Sequence, residues 1–166
     1  MPFFMTMEFV FIDESYADDA SAFVHDMWVD TYAPIIVGGR SRAEDIFDDW
    51  VGPDKIRSDM AIGHDFIFIV QDGKTIGLLS AGKEGGDYVI SKIYILPEQR
   101  GKGVGTAALK FLLEKGMAMG CSRAVLEVNP NNTSAINMYK VNGFCEIGRN
   151  QYDHGYTLLL ALDLKE

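Results

Sequence analysis

The stretch Lys92-Ile-Tyr-Ile-Leu-Pro-Glu-Gln-Arg-Gly-Lys-Gly-Val-Gly-Thr-Ala-Ala108 leaves this chain few ways to fold. An apolar strand ends near Leu96, and Pro97 stops it because proline has no backbone donor for a ladder. A turn with Arg100, Gly101, Lys102, Gly103 and Gly105 follows. A helix then starts at once, with Gly105, Leu109, Leu112, Leu113 and Gly116 on one face at helical spacing. Glycines remove side chains where an anion must approach backbone N–H groups, and they allow backbone angles other residues avoid. The unpaired N–H groups at a helix start carry partial positive charge, so this turn reads as a cradle for a diphosphate. Arg100 and Lys102 add full charges at the same place.

Two rivals use the same residues. A tight strand–turn–helix connection would need glycines only for the turn. Three glycines at alternate positions, basic Arg100 before them and Lys102 among them, and an immediate helix make that the weaker reading. Gly103-Val-Gly-Thr-Ala-Ala108 also matches the dinucleotide pattern G-x-G-x-x-A, and Glu127 stands on the next strand at about 20 residues' distance. That pattern wants a glycine directly after the strand, whereas Pro97 to Arg100 intervene, and too little chain follows for further parallel strands. A P-loop is excluded because no Gly-Lys-Ser/Thr occurs.

Before this stretch, Glu8 to Ile12 has strand character, and Tyr16 to about Ala33 turns helical, with Ala20, Phe23, Val24, Met27, Trp28 and Thr31 sharing a face. Ser41 and Glu44 are spaced as a capping box for a second helix, and Asp54 to Met60 suits a short third one. Asp65 to Gln71, Lys74 to Ala81 and Asp87 to Leu96 read as three antiparallel strands, joined at Asp72-Gly73 and Gly85-Gly86. After the cradle helix come a strand Ala124 to Val128, a helix from about Ser134 to Asn142-Gly143, and strands Phe144 to Arg149 and Tyr156 to Leu164. The predicted order is β-α-α-β-β-β-α-β-α-β-β: an α/β (α+β mixed) chain with a mostly antiparallel six- to seven-stranded sheet and helices on both faces.

A chain of 166 residues with 48% hydrophobic and 23% charged content reads as a single domain, 1–166, with a core of its own. A net charge of -9 argues against a nucleic-acid surface, which needs a basic face. No apolar run approaches membrane-spanning length. Cys121 and Cys145 form neither a metal-ligand spacing nor a disulfide framework, and the start lacks the basic region of a secretory signal, so a cytoplasmic setting is expected. His25, His64 and His154 occur singly, and no metal is expected.

Two segments together resemble the GNAT superfamily of N-acetyltransferases. Gln99-Arg-Gly-Lys-Gly-Val-Gly-Thr106 fits its Q/R-x-x-G-x-G/A signature. Leu126-Glu-Val-Asn-Pro-Asn-Asn-Thr-Ser-Ala-Ile-Asn-Met-Tyr-Lys-Val-Asn-Gly-Phe144 follows its L-x-V-x-x-x-N-x-x-A-x-x-x-Y-x-x-x-G-F run. The resemblance implies acetyl-CoA as co-substrate. The backbone of Ile93, Tyr94 and Ile95 would hold its pantetheine arm, and Gln99, Arg100, Gly101, Lys102, Gly103, Val104, Gly105 and Thr106 its pyrophosphate. Asn132 and Ser134 match positions that contact the cofactor in relatives. Tyr139 matches the tyrosine that protonates the departing sulfur.

The resemblance leaves the base open. Many relatives carry a glutamate on the fourth strand where this chain has Ser91. Glu127 stands in Leu-Glu-Val, similar to the ribosomal-protein alanine acetyltransferases, and serves equally as a candidate base or as a solvated strand carboxylate. Water-mediated deprotonation is a third route. The segment Met27-Trp-Val-Asp-Thr-Tyr32 is similar to the first helix of PaiA-type polyamine acetyltransferases, which implies a polyamine acceptor with Trp28 and Tyr32 lining its pocket. Eleven acids between Asp13 and Asp54, against Arg40 and Arg42, would steer a cationic amine. A protein or peptide N-terminal amine is the alternative acceptor, and a non-catalytic acyl-CoA-binding module the alternative function. Homodimers are common among such relatives.

Overall fold

A computed structural model describes residues 6–153 and 155–164; His154 lies outside them. The elements run β1 (Met7–Ile12), α1 (Ala17–Tyr32), α2 (Gly39–Val51), α3 (Pro53–Ala61), β2 (Asp65–Gln71), β3 (Lys74–Glu84) and β4 (Asp87–Ile95). They continue with α4 (Val104–Ala118), β5 (Arg123–Val128), α5 (Thr133–Val141), β6 (Cys145–Tyr152) and β7 (Gly155–Asp163). The strands hydrogen-bond in the order β1-β2-β3-β4-β5-β7-β6. β1 pairs antiparallel with β2, and β7 pairs antiparallel with both β5 and β6, while β4 and β5 run parallel. The expected mixed, mostly antiparallel sheet is therefore present. The third helix, which the sequence allowed, is real.

The chain groups into two compact units, one running to Ser80 and including Lys92–Arg100, the other made of Ala81–Ser91 and the chain from Gly101. In the first unit, α1 buries Ala17, Ala20, Val24 and Met27, recurring every three or four residues, with Trp28 and Val29 beside Met27. This stripe packs with Ala43, Phe47 and Val51 of α2, Ile56 of α3, and Phe66 and Leu78 of the sheet. The hairpin between β2 and β3 turns on Asp72 and Gly73, both at positive φ (51° and 79°), as a turn matched to strand twist requires.

The capping box expected at Ser41 and Glu44 does not form. Gly38, left-handed at φ 103°, starts α2 at Gly39, and no side chain caps that end. Glu44 instead reaches across to α1, where its Oε2 lies 2.7 Å from His25 Nε2; Asp26 Oδ1 lies 2.9 Å from Nδ1. Asp26 pushes the His25 pKa up, against partial desolvation and with further help from Glu44. A raised histidine pKa adds stability that is fully present below the group's ordinary value of 6.5 and disappears as pH rises through the raised one. His25→Gln is accordingly expected to melt earlier than the wild type at pH 5.5, by about 0.5 kcal/mol after solvent screening. The gap should close by pH 9 in thermal melts. A gap independent of pH would show that the imidazolium contributes nothing.

In the second unit α4 sets its glycine face on β4. A Cβ added at Gly116 would lie 2.9 Å from two ring carbons of Tyr88, which is fully buried and has nowhere to retreat. Helix propensity favours Ala over Gly by up to about 1 kcal/mol, whereas overpacking costs about 1–3 kcal/mol. Gly116→Ala is therefore expected to lose about 1 kcal/mol net in denaturant melts. A gain in stability would show that Tyr88 can shift.

Candidate active site

The backbone assigned to the pantetheine arm, Ile93 to Ile95, is held from the β3 side. A Cβ on Gly77 would sit 2.8 Å from the Tyr94 carbonyl oxygen, so only glycine lets β3 approach this closely. Leu96 N–H donates to Ile76 O at 2.9 Å and ends the strand. Pro97–Gln99 forms a single 3-10 turn, and Arg100 Nε donates to Ile95 O at 3.1 Å. Arg100 thereby ties the turn to the strand it leaves. Gln99 is half-buried and Arg100 exposed.

Beyond Arg100 the sequence signals become geometry. Gly101 and Gly103 both take positive φ (76° and 83°), and α4 begins at Val104 with no side chain capping its first N–H groups. A Cβ added at either glycine meets nothing within 4 Å. The first amides of α4, at Val104, Gly105 and Thr106, have no intrahelical acceptor and follow exposed Lys102. A diphosphate fits a seat of this kind: backbone donors, the positive end of a helix dipole and no side chain in the way.

The β4–β5 ladder is short. Its pairs run from Asp87↔Arg123 to Ile90↔Leu126, although β5 continues to Val128. Glu127 is the first β5 residue past the last pair. Its neighbours Leu126 and Val128 are buried, and Glu127 points to the other face, exposed. There its Oε1 accepts hydrogen bonds from Tyr152 Oη at 2.5 Å and Thr157 Oγ1 at 2.6 Å. Desolvation pushes the Glu127 pKa up, but hydrogen bonds from Thr157, Tyr152 and Asn150 outweigh it and hold the carboxyl below its ordinary value. The bond to Glu127, with desolvation, pushes the Tyr152 phenol up, so that proton stays on the tyrosine.

Tyr139 lies on α5 with its ring 5.7 Å from that of Phe144 and only 8% exposed. Burial pushes its phenol up to about 12. Asn132 caps α5, its Oδ1 accepting from Ala135 N–H at 3.3 Å, and Ser134 is exposed in the first turn.

Trp28 and Tyr32 do not share one environment. Trp28 is 4% exposed, wedged between Phe47 (5.6 Å) and Tyr32 (4.7 Å), so its ring serves the core of the first unit. Tyr32 is half-buried at the edge of that core. The acidic stretch is partly neutralised: Asp26 and Glu44 meet His25, Asp30 meets Arg40, and Asp18 and Asp54 meet Arg57. Sequence reasoning gave no place to Lys92. Burial lowers its pKa, opposed by Asp59 and reinforced by Lys55, and its Nζ lies 5.8 Å from the Phe66 ring centroid.

Residues 21–144 match the model of the acetyltransferase (GNAT) family. The chain belongs to that family. It is 37% identical over 59 residues to thialysine N-epsilon-acetyltransferase of Mus musculus, spanning 36% of this chain and 35% of the mouse protein. The match thus covers about a third of that relative's length. Among solved structures, PaiA N-acetyltransferase of Thermoplasma acidophilum in complex with coenzyme A superposes with a TM-score of 0.80 at 17% identity, covering 96% of this chain and 99% of that one. A ribosomal-protein alanine N-acetyltransferase of Escherichia coli superposes with a TM-score of 0.70 at 16% identity, covering 97% and 96%. These likenesses establish the fold. Against a dinucleotide fold, β4–β5 is the one parallel ladder among the registers described here.

Proposed function

We propose that this GNAT protein transfers an acetyl group from acetyl-CoA to a primary amine by direct attack. The observation that carries the reading is the uncapped start of α4 behind two left-handed glycines, a seat that suits the diphosphate of coenzyme A. Lys102 adds a positive group beside it, and the resemblance adds Gln99, Arg100, Asn132 and Ser134 as further cofactor contacts. Ile93, Tyr94 and Ile95 offer main-chain groups to the pantetheine amides. The amine nitrogen attacks the thioester carbonyl and gives up its proton to water, the C–S bond breaks, and the sulfur takes a proton from Tyr139, whose phenol is then restored from solvent. A phenol with a pKa of about 12 is fully protonated at neutral pH, as a proton donor must be.

The acceptor we favour is a polyamine, from the helix pattern Met27–Tyr32, with Tyr32 the accessible one of the two aromatics. The mouse relative, named for a small amine substrate, supports an acceptor of small-molecule size. The test is release of free thiol from acetyl-CoA with spermidine, spermine, lysine analogues and peptides as acceptors. Amine-dependent thiol release, strongest with the polyamines, is expected. Coenzyme A binding with no release from any acceptor would leave an acyl-CoA-binding module, and absence of coenzyme A binding would end the proposal.

A further inference from the structure

The last hairpin carries a feature that no motif announces. Along β6 and β7 the pairing runs Cys145↔Ala161 and Glu146↔Leu160, then resumes at Gly148↔Leu159 after a bulge at Ile147. One extra residue in a strand exchanges the two faces of everything beyond it. Asn150 pairs with Thr157 and Tyr152 with Gly155, so Asn150 and Tyr152 lie on the face of Thr157 and Leu159. That is also the face of Glu127, which pairs with Leu159. Without the bulge, Arg149 and Gln151 would take those places, and an arginine would lie beside Glu127 and neutralise it. With the bulge, Arg149 is turned away and stacks on Tyr156 at 4.9 Å. Neutral hydroxyl donors take its place.

Both hydroxyls end on one oxygen, Oε1. With Asn150, a third neutral donor, they fix the carboxylate's orientation and stabilise its charge without cancelling it. An acceptor-only group held by neutral donors, exposed beyond the end of the β4–β5 ladder, is complementary to an ammonium ion. It is poorly suited to taking a proton, because every donor on it favours the ionised form.

We propose that Glu127 binds an ammonium group of the acceptor through its carboxylate and is a binding residue rather than the proton acceptor of the transfer, with Tyr152 and Thr157 as the positioning residues that hold it. The assignment rests on the acetyl-transfer reading. It selects acceptors that carry a second ammonium beside the reacting amine, as di- and polyamines do.

The experiment is calorimetric titration of spermidine into the full-length protein already saturated with coenzyme A, followed by steady-state kinetics with acetyl-CoA and spermidine. Glu127→Gln should weaken spermidine binding about tenfold, the scale of one charge-assisted contact. Tyr152→Phe and Thr157→Val should each weaken it about threefold, while Thr157→Ser, which keeps the hydroxyl, stays within about twofold of the wild type. In turnover the losses should appear in KM, with kcat held within about threefold. Spermidine binding equally well to Glu127→Gln, a wild type that binds no spermidine, or a fall in kcat with KM unchanged would each overturn the assignment. Should Glu127→Gln not fold, the contrast between Thr157→Val and Thr157→Ser decides: equal affinity in the two sinks the proposal. A protein that fails to take up coenzyme A in the first step would instead refute the acetyl-transfer reading, so the two failures are distinguishable.

Discussion

Tyr139→Phe is expected to lower kcat about a hundredfold or more while coenzyme A affinity changes less than threefold. The phenol oxygen is the only atom removed, and the ring that packs 5.7 Å from Phe144 remains, so the core keeps its shape. A thiolate leaving without a proton donor must be expelled at its own basicity, whereas the ground-state complex makes little use of the hydroxyl. The pH dependence adds a second signature. A phenol raised by burial to about 12 stays protonated well above neutrality, so no alkaline fall in kcat below about pH 11 should come from this group. The same shift bears on stability. Folded Tyr139 holds its proton more tightly than the ordinary value of 10.0, so its contribution is complete below pH 10 and is lost as pH rises toward 12. Tyr139→Phe should accordingly resist alkaline unfolding better than the wild type. Equal losses of turnover and coenzyme A affinity would remove Tyr139 from the acid role.

What the sequence revealed, and what it hid, divides by the range of the interactions. The Asp72-Gly73 hairpin, the strand stop at Pro97, the left-handed glycines before α4 and the stripe of α1 are all set by residues within a few positions of one another. Composition and period expose them. The α2 start was misplaced because Gly38 can adopt a conformation that makes a capping serine unnecessary, and because Glu44 found His25, 19 residues away. Trp28, assigned to a pocket by the resemblance, is covered by Phe47 from another helix. Glu127 could be picked out from Leu-Glu-Val, but its partners could not. Tyr152 and Thr157 reach it only because β5 pairs with β7, β7 with β6, and a single bulged residue sets the face. A bulge is one residue of register, and alternation patterns in a strand of this length do not fix it.

The cradle can be separated from the turn that forms it by a matched pair of glycines. Gly103 and Gly120 flank α4, both at positive φ (83° and 77°), and a Cβ added at either meets nothing within 4 Å. Alanine at each position therefore carries the same penalty, left-handed backbone strain of about 1–2 kcal/mol, with no clash inside the protein. Thermal melts should show similar losses for Gly103→Ala and Gly120→Ala. Their coenzyme A affinities should differ. A methyl group at Gly103 occupies the space through which a diphosphate would approach the Val104, Gly105 and Thr106 amides, and a displacement that lengthens two such charge-assisted bonds is worth at least about 1.4 kcal/mol, or tenfold. Gly120 lies past the opposite end of the helix, where the dipole is negative and no anion is drawn. Gly103→Ala is thus expected to raise the Kd for coenzyme A about tenfold or more, with Gly120→Ala unchanged. If calorimetry gave the two variants the same affinity, the glycines would serve the turn alone, and the diphosphate would have to bind elsewhere.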